Sequence, residues 1–205
     1  MERKLEDYEN EVIARLKHEE GYVDHVYPDH KGVPTFGYGT NLTQPFTMRE
    51  REFIINYLDA QYLLVHMGDL FSRAVPNKGI FETMNHLSEP EVVAEYLLKS
   101  KYFQAYNDLI GFVSHWETGF EWDDIPVNAK KALLDMSYNM GITKLMKFHD
   151  MFSAIQQKDW ETAAKECLDS VYSKVDLKKS NRDEENAELL RSCKLDSNPA
   201  DDNLT

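Results

Sequence analysis

Residues 19–43 read EEGYVDHVYPDHKGVPTFGYGTNLT, and this stretch decides the fold. Upstream of it, Leu5, Tyr8, Val12, Ile13 and Leu16 recur at spacings of three and four, the pattern of an amphipathic helix. Gly21 is a natural terminator for that helix. Downstream, Tyr, Val, Thr and Phe are punctuated by Pro28, Gly32, Pro34, Gly37 and Gly39. That composition predicts short strands joined by tight turns, a small antiparallel β lobe over about 21–43.

From about Thr47 the periodicity returns to helix through MREREFIINYLDAQYLLVHMGDLF. After a PNKG turn, Ser88 with Glu91 three residues on predicts a capping box opening the next helix, which VVAEYLLKSKYFQAYNDLIGFV continues. HWETGFEWDDIP reads as a polar, aromatic loop. Beyond Pro126, Ala129, Ala132, Leu133, Met136 and Met140 predict a central buried helix closed by Gly141. Helices are also predicted in KFHDMFSAIQQKD, in WETAAKECLDSVY and from Asn181 to Arg191, followed by an acidic, frayed tail. The expected fold is mixed α+β and mainly helical, a single domain over 1–195 with two lobes. Its parts are the β lobe, an extended helical segment over about 44–87, a larger helical lobe over about 88–191 and a polar tail at 196–205. A cleft between lobes is the usual place for a ligand.

A chain of 205 residues can bury a real core. It has no run of 18 apolar residues, so no membrane span is expected. The start, MERKLEDYENEVIARLKHEE, is charged throughout and lacks the apolar core of a secretory signal. Synthesis in the cytoplasm is expected, with any outside substrate reached after lysis or by dedicated export. The net charge of -13 argues against nucleic acid, whose phosphates reward basic surfaces. Cys167 and Cys193 form no CxxC, and no His cluster has metal spacing, so neither a disulfide framework nor a zinc site is expected. Cys167 reads as a small core residue.

Two carboxylates stand out by position. Glu20 ends the first helix, where unsatisfied carbonyls disfavour an ionised side chain, and Tyr22, Tyr27 or Phe36 are placed to limit its hydration. Those are conditions under which a carboxyl keeps a proton and serves as a general acid. Asp29 lies nine residues on, past a break and a short strand, so the chain can fold it back toward Glu20. Thr35 follows the HKGVP turn, and a hydroxyl beside a carboxylate can hold one water. Glycoside hydrolysis needs such a pair, one protonated carboxyl on the leaving oxygen and one ionised as nucleophile or base. Acid pairs at this spacing are common in a chain with 36 acidic residues, and solvated surface charge is the ordinary reading of them.

The full string carries more weight. Glu20-Gly21, Tyr27, Asp29, Gly32, Thr35 and Gly37-Tyr38-Gly39 resemble, interval by interval, the phage-type (T4-type) lysozymes. PVNAKKALLDMSYNMG resembles that family's central helix through Tyr138, Asn139 and Gly141. The following helix pair is matched through Phe148, Trp160, Ala163 and Ala164, and the closing helix through Arg182, Ala187, Glu188 and Leu189. The resemblance implies a lysozyme-like two-lobed fold and a muramidase cutting the peptidoglycan glycan strand with inversion. It implies Glu20 as acid, ahead of the neighbouring Glu19, Asp29 as the base that positions water, and Thr35 as its partner. Tyr38, Asn139 and Phe148 are the implied glycan contacts, with the Asn139 amide suited to an N-acetyl group. No metal or organic cofactor is expected, because two carboxylates and water suffice. A monomer is expected.

Thr40 stands where many members have His, and Asp183 where an Arg is expected beside Arg182; Val171 and Tyr172 replace basic and aromatic residues. Fewer cations would then face an anionic wall polymer, which suits a neutral chitin-like strand as the alternative substrate. A second alternative is a weakly catalytic binding module, docking on the wall or a protein partner through 44–87 or 112–125, with Trp116, Phe120 and Trp122 as exposed aromatic contacts.

Overall fold

The computed structural model describes residues 4–59, 82–116, 120–168 and 181–193. The chain divides into two compact units, Ile13–Tyr102 and the combination of Met1–Val12 with Phe103–Thr205. Mainly helical with one small antiparallel sheet, it has the expected α+β architecture.

Helix α1 spans Asp7–Glu20 and buries Tyr8, Val12, Ile13 and Leu16, the stripe read from the sequence. Gly21, at φ +67°, stops it in a conformation that favours glycine. The sheet follows in the order β1 (Val23–Pro28), β2 (Pro34–Gly37), β3 (Thr40–Asn41), all antiparallel. Tyr27 pairs with Thr35, Pro28 with Pro34, and Thr35 with Asn41. Helix α2 (Met48–Asn56) opens on a capping box: Thr47 Oγ1 accepts from Glu50 N, and Glu50 Oε2 accepts from Thr47 N. The other Glu50 oxygen accepts from Ser100 Oγ at 2.7 Å, tying α2 to the long helix α3 (Pro90–Trp116). Phe53 stacks on Tyr96 of α3 with centroids 3.7 Å apart.

The predicted capping box at Ser88 is corrected. Helix α3 begins at Pro90, whose fixed φ suits a first helical position. Ser88 instead donates through both N (2.7 Å) and Oγ (2.9 Å) to the carbonyl of Tyr57, closing the loop against the end of α2.

In the other unit, α4 (Val127–Met140) is the central helix, with Ala129, Lys130 and every residue from Ala132 to Tyr138 buried. A fully buried Leu such as Leu133 contributes about 1.5–3 kcal/mol. Gly141, at φ +77°, ends it as expected. Helices α5 (Ile142–Leu145), α6 (His149–Gln156), α7 (Trp160–Leu168) and α8 (Arg182–Ser192) follow, with α8 packed on both α7 and α4. Trp160, Ala163, Ala164, Cys167 and Cys193 are core residues. The aromatic loop is less exposed than read. Phe120 and Trp122 are buried, with the Lys130 ammonium 5.6 Å from the Trp122 ring, and Trp116 packs with Phe112, Phe152 and His149. The PNKG turn with the rest of 60–81, residues 117–119, Val171 and Tyr172, and the 196–205 tail lie outside the described residues. Among those described, no helix is long and apolar enough to cross a membrane.

Candidate active site

Glu20, half-buried, is the last residue of α1. Its Oε2 lies 2.9 Å from the point a Cβ would occupy on Gly39, which has φ +75°. The Gly37-Tyr38-Gly39 turn thus abuts the carboxyl as closely as glycine permits, and a side chain at 39 would push into it. Gly37 plays the matching role behind the turn: at φ +63°, its Cβ would stand 2.4 Å from that of Ala94 on α3. Glu19 looks elsewhere, its Oε1 3.9 Å from His18 Nδ1.

One turn back on α1, Lys17 Nζ bonds Glu95 Oε2 at 2.7 Å and lies 5.3 Å from the Tyr38 ring centroid. The Glu95 hydrogen bond pushes Lys17 up, and the bonds from Lys17 and then Lys99 pull Glu95 down, so the pair stays charged. Tyr38 is 5% exposed and donates to Glu91 Oε1 at 3.4 Å. Its ring therefore packs between α1 and α3 and holds the turn that meets Glu20.

The β1–β2 hairpin builds the other half. Asp29 Oδ1 accepts from Lys31 N and Val33 N, both at 2.8 Å, an aspartate clasping its own turn. Asp29 N donates to Val33 O at 2.9 Å, and Thr35 Oγ1 donates to that same carbonyl at 2.9 Å. Asp29 and Thr35, the latter buried, thus hang from one atom. Oδ2 of Asp29 has no protein partner among the described residues.

The Val33 amide first, then that of Lys31, holds the Asp29 carboxyl below its ordinary value of 3.8. A depressed folded-state value means that these bonds stabilise the hairpin fully above pH 3.8 and are lost as pH falls below it through the folded value. A carbon-detected NMR titration of the Asp29 carboxyl is expected to give a midpoint below 3.8; a midpoint at or above it would contradict the amide clasp.

Asn139 and Phe148 belong to the other unit. Asn139 is exposed on α4, and its Nδ2 donates to Asp135 O at 2.9 Å and Oδ2 at 3.4 Å, leaving its carbonyl oxygen to accept. Phe148 is half-buried and caps the start of α6. The sequence reading missed Asp135, which is 1% exposed, gripped by Arg182 through Nε (3.1 and 2.9 Å) and Nη2 (2.9 Å), and bonded by Asn186 Nδ2 at 2.8 Å. A carboxylate inside the apolar run of the central helix was the available signal, since such a charge needs a partner. Among the described residues no group of His, Cys, Asp or Glu is arranged to hold a metal ion.

A carboxyl at a helix end, met by a small sheet whose hairpin clasps an ionised aspartate beside a threonine, offers the two carboxyl groups that glycoside hydrolysis uses. The sequence pattern of the phage lysozymes matches residues 17–182, and the chain belongs to that family. Among its relatives is the probable T4-type lysozyme 2 of Dictyostelium discoideum, 26% identical over 169 residues covering 82% of this chain and 87% of that protein.

Proposed function

We propose that this protein is a muramidase cleaving the β-1,4 bond after N-acetylmuramic acid in peptidoglycan, acting within the glycan strand and with inversion at the anomeric carbon. The observation that carries this reading is the sharing of the Val33 carbonyl by Asp29 and Thr35. With its proton committed to Val33, the Thr35 oxygen can only accept from a water, and so can the open Oδ2 of Asp29. A water donating to both presents its lone pair outward, toward a sugar carbon.

The chemistry then balances. Glu20 gives its proton to the glycosidic oxygen as the bond to the anomeric carbon breaks. The held water attacks that carbon from the opposite face, and its proton passes to Asp29. Solvent exchange reprotonates Glu20 and deprotonates Asp29. The Asn139 carbonyl oxygen is a fitting acceptor for an acetamido N–H, and Phe148 a surface for a sugar ring. Tyr38 acts through the turn that it packs behind Glu20.

The family, and the sharing of the Val33 carbonyl by Asp29 and Thr35, favour hydrolysis over a pure binding module. The burial of Phe120 and Trp122 removes two of the aromatics that a docking surface would have used. Digestion of purified peptidoglycan, with products read by mass spectrometry and early-time NMR, is expected to give new reducing N-acetylmuramic ends formed first as the α-anomer. Reducing N-acetylglucosamine ends, β-anomers, or cleavage only of chitin-like strands would overturn the bond, the stereochemistry or the substrate respectively.

A further inference from the structure

Beyond limiting the hydration of Glu20, Tyr27 has no part in the proposed chemistry, yet the register puts it beside Thr35. It pairs directly with Thr35 across β1 and β2. Directly paired residues of antiparallel strands project from the same face with Cβ atoms about 4.5–5.5 Å apart. Asp29 follows two positions on, the spacing that returns a side chain to one face of a strand, and its N pairs with Val33 O to extend the ladder. Tyr27, Asp29 and Thr35 therefore share a face. Burial first, then the charges of Glu20 and of Asp29, push the Tyr27 phenol above its ordinary value, so both carboxylates lie within electrostatic reach of it.

The phenol is half-buried, and its hydroxyl has no hydrogen-bond partner among the described residues. The residue is partly open to solvent. None of the three reacting residues has a proton to spare for a sugar oxygen. Thr35 has committed its proton to Val33, Asp29 is ionised, and the proton of Glu20 is required by the leaving oxygen. A sugar in this site nonetheless brings hydroxyl and acetamido oxygens that accept.

We propose that the Tyr27 hydroxyl is a further glycan-binding donor, orienting the sugar whose bond Glu20 and Asp29 break. The inference rests on the glycosidase reading above. A phenol held in its neutral form by its surroundings stays a donor at any working pH, and its ring offers the apolar body that sugar faces pack against.

The test compares the parent chain with Tyr27→Phe and Glu20→Gln on purified peptidoglycan. It adds the affinity of a soluble glycan-strand fragment for Glu20→Gln and for Glu20→Gln combined with Tyr27→Phe, measured by calorimetry. Tyr27→Phe is expected to unfold at the parent temperature, since no protein hydrogen bond is lost. Its kcat/KM is expected to fall about 3- to 10-fold, the effect of one neutral hydrogen bond, with a matching loss of fragment affinity in the double variant. Parent kcat/KM and parent fragment affinity for the Phe variants, alongside a dead Glu20→Gln, would overturn the role of Tyr27 alone. A lowered unfolding temperature with unchanged fragment affinity would make Tyr27 a packing residue and overturn it equally. If Glu20→Gln cleaves at the parent rate, the glycosidase reading itself fails and the proposal falls with it.

Discussion

Glu20→Gln is expected to lower the rate of peptidoglycan cleavage by about 100- to 10,000-fold, the range that a positioned general acid contributes. The substitution keeps the shape of the side chain, so the close approach of Gly39 is preserved and the thermal midpoint should stay at the parent value. What it removes is the proton for the glycosidic oxygen. Glu19→Gln is the matched control, because its carboxyl turns to His18 and not to the Gly39 turn, and it should retain parent activity. Turbidity clearing of cell walls and release of reducing ends measure both. A folded Glu20→Gln that clears walls at the parent rate would remove the glutamate from the mechanism.

The parts of this site legible in the sequence are those fixed by local backbone chemistry. Gly21, Gly37, Gly39 and Gly141 all adopt positive φ, so a helix end, a turn and a second helix end were marked by residue type alone. Asp29 clasps amides two and four residues ahead, an interaction as local as the sequence that encodes it. Long-range partners were not legible. Ser88 and Glu91 spell a capping box, but the Tyr57 carbonyl, 31 residues away, takes both Ser88 donors. The same signal was present and real at Thr47 and Glu50. The family resemblance implies Tyr38 as a sugar contact, but the sequence does not show how it is buried. Its burial depends on Lys17 and on Glu91 of α3, which only the folded chain brings to it. The donor role inferred for Tyr27 arises in the same way, from a strand register that periodicity does not specify.

Arg182→Ala is expected to lower stability by about 3–5 kcal/mol, as for other broken buried ion pairs. Asp135 is almost wholly enclosed at 1% exposure, and Arg182 supplies its charge partner through two nitrogens. The remaining donors, Asn186 and Asn139, are neutral amides that bond the carboxylate but do not balance it. At about 2–4 °C per kcal/mol for a chain of this size, the thermal midpoint should fall by about 6–20 °C. Arg182→Lys should fall between, since it keeps the charge but not the planar fork that grips both oxygens. The decisive comparison is the double variant Asp135→Ala with Arg182→Ala. If the penalty is the unpaired buried charge, removing that charge must restore part of what the arginine loss took, and the double variant should unfold above Arg182→Ala alone. A double variant less stable than either single one would mean that the packing and amide bonds of Asp135, not its charge, hold α4 to α8.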